Sequence, residues 1–207
     1  MNKLILDLCG GTGAWSRPYK EAGYDVRNIT LPEFDVRTYE PPENVYGILA
    51  APPCTMFSFA RTNAKKPRDL REGMECIKAC LDIIWECQYR LKSDQQKYPP
   101  LKFWALENPY YGMLRWFLGK PVFVFDPWEF GDMYKKRTSL WGHFNELKKT
   151  VFNKDGKLKK FDKLLMQELK DLKSKAWAED YINTKTRKTI RAITPAGFAK
   201  AFFEANK

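Results

Sequence analysis

Hydrophobic positions recur along this chain in two rhythms. Short runs rich in apolar residues, 4–8, 24–29, 47–50, 103–106, 122–125 and 138–141, end in turn-forming residues and have the length of strands. Between the third and fourth run, Met74, Ile77, Leu81, Ile84 and Trp85 form one stripe at helical spacing, which predicts a helix over about 71–91. Tyr98-Pro99-Pro100 ends whatever follows it. Near the C-terminal end, Thr194 reads as an N-cap and Pro195 as the first helical residue of a helix through AGFAKAFFEAN. Strands alternating with helical stretches predict an α/β fold, a mostly parallel sheet flanked by helices.

Length and charge refine this picture. The 207 residues suit one domain, 1–207, with 44% hydrophobic and 29% charged residues. No run approaches the roughly 18 apolar residues of a membrane helix, and the start MNKLILDLCGG lacks a secretory pattern, so a cytoplasmic protein without a membrane partner is expected. Five cysteines without a CxxC pair and one histidine, His143, supply neither a disulfide framework nor a zinc site, so no metal is expected. Cys76, Cys80 and Cys87 fall on the long helix and read as core residues. The formal net charge is +11, and between Glu146 and Arg191 there are 14 Lys and Arg against 7 Asp and Glu. Residues 145–190 therefore read as a small basic insert, with a turn at 153–156 and a helix over 163–181. It serves either as a solvated helical segment or as a contact to a polyanion.

Three constellations carry candidate chemistry. Asp7-Leu8-Cys9-Gly10-Gly11-Thr12-Gly13 closes the first strand; its glycines allow close backbone approach to a ligand, yet no Gly-Lys-Ser/Thr follows as a P-loop requires, and Ser16 stands where a dinucleotide fingerprint has its third glycine. It is either a turn for a nucleoside-containing cofactor or a structural one. Ala51-Pro52-Pro53-Cys54-Thr55-Met56-Phe57-Ser58 follows the third strand, so a cysteine framed by two stiffening prolines lies where open α/β sheets bind ligands. Trp104-Ala105-Leu106-Glu107-Asn108-Pro109 ends another strand in a carboxylate, which is costly there unless it is paired or functional.

In this order, DLCGGTG, PPCTMFS and ENP resemble the motifs of the cytosine-C5 DNA methyltransferase family. Phe34-Asp35-Val36 resembles its adenine-binding aspartate, GDMYKKRTSLWG its arginine-bearing motif, and RAITPAGFAKAFFEAN its closing helix. The likeness covers most of 4–144 and 190–206 and is greatest to short, phage-type members. It implies a Rossmann-like fold that binds S-adenosylmethionine, with 145–190 in place of a full target-recognition domain. Asp7, Cys9, Gly10, Gly11, Thr12, Gly13, Trp15, Asn28, Asp35 and Pro52 would then hold the cofactor. Cys9 stands where the family usually has an aromatic, and Asn28 and Thr30 lie where it has an acidic residue for the ribose.

The resemblance also implies the chemistry. Carbon 5 of cytosine is a weak nucleophile, so a thiolate, here Cys54, adds to carbon 6 and makes carbon 5 enamine-like. Glu107, as a carboxylic acid, meets the charge that grows at N3. Asn108 braces the Cys54 loop. Arg137, with Lys136 as the alternative, contacts the target base. Ser58 touches a phosphate, and Arg61, Lys65, Lys66 and Arg68 form a basic loop that closes over the backbone of the DNA. In the insert, Lys157, Lys159 and Lys160 are expected to hold phosphates. Two other readings keep the fold: a cytosine-5 methyltransferase acting on RNA, and a nucleic-acid-binding protein without turnover. A small-molecule methyltransferase fits the charge least.

Overall fold

The computed structural model describes residues 3–61, 64–90, 100–132, 135–151 and 193–207. The turn at 153–156, the helix over 163–181, Tyr134, and Lys157, Lys159 and Lys160 all lie outside them.

All six predicted strands form: β1 (Leu4–Leu8), β2 (Asp25–Ile29), β3 (Val45–Ala50), β4 (Phe103–Pro109), β5 (Phe123–Phe125) and β6 (Thr138–His143). They make one sheet in the order β2-β1-β3-β4-β6-β5. β2, β1, β3 and β4 pair in parallel, and β6 runs antiparallel to both β4 and β5. The LILDL of β1 is buried at every position, as a central parallel strand covered on both faces must be.

Alternation along the strands sends side chains into two cores. On one face Leu4, Leu6, Leu8, Ile48 and Leu106 pack beneath α2 (Leu70–Tyr89), which contributes Ile77, Cys80, Ile83 and Ile84. On the other, Ile5, Leu49, Phe103, Ala105 and Leu140 meet Tyr19 of α1 (Arg17–Glu21) and Phe198 and Phe202 of the last described helix, Ala196–Asn206. Gly47 has no room for a side chain because the Phe103 ring lies 2.3 Å from where a Cβ would sit. The arrangement has three layers, helix on sheet on helix.

Three expectations need adjusting. α2 starts one residue earlier and ends two earlier than predicted, with Asp69 capping it by accepting from the Glu72 amide at 3.0 Å. Its buried face runs through Gly73, Ile77, Cys80, Ile83 and Ile84, while Trp85 of the predicted stripe is 51% exposed. The small residue Gly73 lets the helix sit close to Met56 and Phe57, a fit that a hydrophobicity stripe does not encode. The last helix is capped at Pro195, not Thr194, since the Ala199 amide donates to the Pro195 carbonyl.

Candidate active site

The chain builds β1, passes to β2 on one side, and returns to place β3 on the other. The sheet therefore has its topological switch point between β1 and β3, the place where open α/β sheets bind ligands beyond the carboxyl ends of their strands. The three constellations converge there. Register pairs Leu8 with Ala50 and Ala50 with Leu106, so the residues following each lie along one edge of three adjacent parallel strands.

The turn after β1 is built for close approach. Gly11 and Gly13 have φ of +55° and +66°, and the Gly13 amide closes the turn on the Gly10 carbonyl at 2.9 Å. A Cβ on Gly10 would lie 2.3 Å from Cγ of Asp7 and 2.6 Å from Oδ1 of Asn28. Asp7 is fully buried, accepts from the Ser16 hydroxyl at 2.5 Å, and is pushed up to about 6 by burial, the Ser16 bond opposing the rise. Asn28 donates to the Gly11 carbonyl at 2.8 Å. Oδ1 of Asp7 and Oδ1 of Asn28 are both buried with no hydrogen-bond partner among the described residues. Buried acceptors of this kind are expensive unless a ligand satisfies them. Ser16, which entered the sequence reading only as a missing glycine, is thus part of the site.

Other residues expected at the cofactor are placed differently. Trp15 is 1% exposed and packs against Phe198 and Phe202 at ring distances of 5.6 and 5.4 Å, so it belongs to the second core and offers no surface to a ligand. Its position seven residues beyond the end of β1 carries it over the sheet. Asp35 is held by two-pronged hydrogen bonds from Arg37, which lower its pKa to about 2. Cys9 adopts φ of +56°, is half-buried, and accepts from the Cys80 thiol, which draws its pKa below the ordinary value. Thr12 is exposed on the turn.

The Cys54 loop is braced from three sides. Pro52 is buried, and its carbonyl accepts from Nδ2 of Asn108 at 3.1 Å, so the Asn108 brace expected from the sequence is present. The amides of Phe57 and Ser58 both donate to the Cys54 carbonyl, and the Met113 amide donates to that of Phe57. The Arg68 guanidinium donates to the carbonyls of Met56 and Ser58 at 2.7 and 2.8 Å. Cys54 itself is half-buried and in no disulfide. The basic stretch expected to close as a loop is largely engaged with the protein: Arg68 holds the Cys54 turn, Arg61 donates to the Lys66 carbonyl, and Lys66 pairs with Glu72 at 2.9 Å. Ser58 accepts from the Ala60 amide, and Lys65 is exposed.

Near the carboxyl end of β4, the Glu107 side chain is 15% exposed and Nζ of Lys136 lies 3.6 Å from its Oε1. Arg137, the first choice from the sequence, faces elsewhere: its guanidinium is 3.7 Å from Asp126 and 5.0 Å above the Tyr110 ring. The Tyr110 amide donates to the Arg137 carbonyl, extending the β4–β6 ladder, and successive residues of an extended segment face opposite ways. Only one of the two cations can therefore face Glu107. Among the described residues no group of three or more His, Cys, Asp or Glu is placed to hold a metal, and no helix is long and apolar enough to cross a membrane.

No protein-family model matches the chain, and no curated sequence does. Among solved structures it is similar to a methyltransferase of Entamoeba histolytica, at 10% identity and a TM-score of 0.38, with 74% of this chain and 58% of that chain covered. This chain thus spans less than two thirds of that protein's length.

Proposed function

We propose that this protein is a DNA (cytosine-5)-methyltransferase that uses S-adenosylmethionine, with Cys54 as nucleophile and Glu107 as its acid partner. The observation that carries the reading is the convergence of a thiol, a carboxylate and a glycine turn over a buried aspartate on three adjacent strand ends. Residues far apart in sequence meet where an α/β sheet binds ligands.

The site fits the cofactor. The glycine turn gives it close backbone approach, and the unsatisfied acceptors of Asp7 and Asn28 offer partners for its ammonium and hydroxyl groups. When bound, S-adenosylmethionine supplies an electrophilic methyl group. The protein's own task is to make carbon 5 nucleophilic. Sγ of Cys54, as thiolate, forms a bond to carbon 6, and the electron pair of the 5,6 double bond moves into the ring toward N3. Glu107 gives N3 a proton or a strong hydrogen bond, and the cation of Lys136, 3.6 Å from Glu107, would meet the neighbouring O2. Once carbon 5 carries the methyl group, N3 returns its proton to Glu107 and the carbon-5 proton passes to water, which lets the Cys54–carbon 6 bond break and restores both the aromatic ring and the thiolate. Asn108 and Arg68 keep the loop in place throughout. A target in duplex DNA would have to leave the stack to reach Cys54. The lysines of 145–190 supply charge for phosphate contacts, and a segment so short and poor in arginine suits readout of few bases.

Nucleoside mass spectrometry on DNA and RNA incubated with the protein and methyl-labelled cofactor tests this reading. Label in 5-methyldeoxycytidine is expected. Label only in ribonucleosides, or in neither polymer, would contradict it.

A further inference from the structure

Beside the Cys54 loop and the β4 exit, four large rings stay in solvent: Phe59 is 40% exposed, Tyr111 61%, Trp116 63% and Phe117 49%. Phe59, Tyr111 and Trp116 form one surface, and Phe117 packs on the buried Phe57 beneath it. The Phe59 and Trp116 rings touch at 6.0 Å, the Phe59 amide donates to the Tyr111 carbonyl, and Ser58 bridges to Gly112. Contiguous exposed apolar surface marks an interaction site. Its charge indicates the occupant: residues 52–68 and 108–125 carry Arg61, Lys65, Lys66, Arg68, Arg115 and Lys120, with Lys66 paired to Glu72 and Asp69, Glu107 and Asp126 flanking the two segments, so cations predominate. The Arg115 guanidinium also lies 5.5 Å over the Tyr110 ring, so cations and rings interleave. Two copies of a face with this excess of cations repel one another, whereas phosphates between stacked bases are drawn to it.

From this we infer that the ring surface is a stacking platform for unpaired bases of the DNA strand that carries the target cytosine, making single-stranded or locally melted DNA the preferred form of substrate. Base pairs in intact duplex hide their ring faces from such a platform, while every unpaired base presents one. The inference rests on the methyltransferase reading, because it is that reading which puts a target base at Cys54. It adds that the flanking bases leave the helix too.

Fluorescence anisotropy of the full chain with a labelled single strand, and with its fully paired duplex at the same salt, tests this without any methyl transfer. The single strand is expected to bind tighter than the duplex. Trp116→Ala and Phe59→Ala are each expected to weaken it by about tenfold, as loss of one stacked base does, with duplex binding unchanged. Trp116→Phe, which keeps a ring, is expected to retain most of the affinity and guards against a folding artefact. Equal affinity for both forms, or an unaffected single strand in Trp116→Ala, would overturn the inference. So would self-association of the wild-type chain that Trp116→Ala abolishes. Strand preference without methyl transfer would sink the catalytic reading alone, and methyl transfer without strand preference this one alone.

Discussion

A carboxylate buried completely at the end of a strand works against the fold that holds it. Asp7 titrates near 6 in the folded protein, against about 3.8 in the unfolded chain. The folded state therefore holds the extra proton between those values, and this group's contribution to stability falls as pH rises from about 4 to 6. Above that range the charge is buried in full, at a cost on the order of 3 kcal/mol. Asp7→Asn keeps the shape and an acceptor for Ser16. The unliganded variant is expected to melt about 5 °C higher at pH 8 and to lose the slope between pH 4 and 6; an unchanged melting curve would show that Asp7 is not strained. A residue that lowers stability without a ligand fits one retained to bind it. Lys136 makes the opposite case, since no single feature of the sequence distinguishes it from Arg137. Lys136→Met is expected to lower kcat by roughly 100-fold or more, with KM changed far less, because its cation meets charge that develops during reaction. Arg137→Met, on the Asp126 and Tyr110 side, should leave kcat within a few-fold. Reversed effects in the two variants would restore Arg137 as the base contact.

At the scale of elements, what could be read from the sequence was what local pattern dictates. The strands announced themselves because runs such as LILDL, boxed between turn residues, cannot be buried on both faces in any other way. Their ends were less legible: β4 continues through Glu107, Asn108 and Pro109 because β6 is there to pair with them, a partner more than 25 residues on. α2 showed its existence but not its rotation, which depends on Gly73 lying against Met56 and Phe57 of the Cys54 loop and on Cys80 meeting Cys9. The same holds at the site. Cys54, Glu107, Asn108 and the glycine turn were readable because strand-end chemistry is local. Trp15 was not, because its burial depends on Phe198 and Phe202 at the far end of the chain. Arg68, expected in a basic loop that closes over the DNA backbone, instead braces the Cys54 turn, because lone carbonyls in a neighbouring turn leave no mark in sequence.

For the molecule as a whole, the sheet gathers the candidate chemistry on one edge, and charge surrounds it. Of the +11 net charge, +7 lies between Glu146 and Arg191, largely beyond the described residues, and six further cations accompany the exposed rings beside Cys54. The thiol, the carboxylate and the glycine turn matter together only if Cys54 bonds to the base. DNA with 5-fluorocytosine at its cytosines separates this reading from any non-covalent role, because fluorine at carbon 5 cannot leave as a proton does and the adduct is trapped after methyl transfer. With S-adenosylmethionine, wild-type protein is expected to give a denaturation-resistant protein–DNA band carrying one methyl group per adduct, and Cys54→Ala none. A band of equal yield from Cys54→Ala, or no band from wild-type protein that transfers methyl to ordinary cytosine, would contradict Cys54 as the nucleophile.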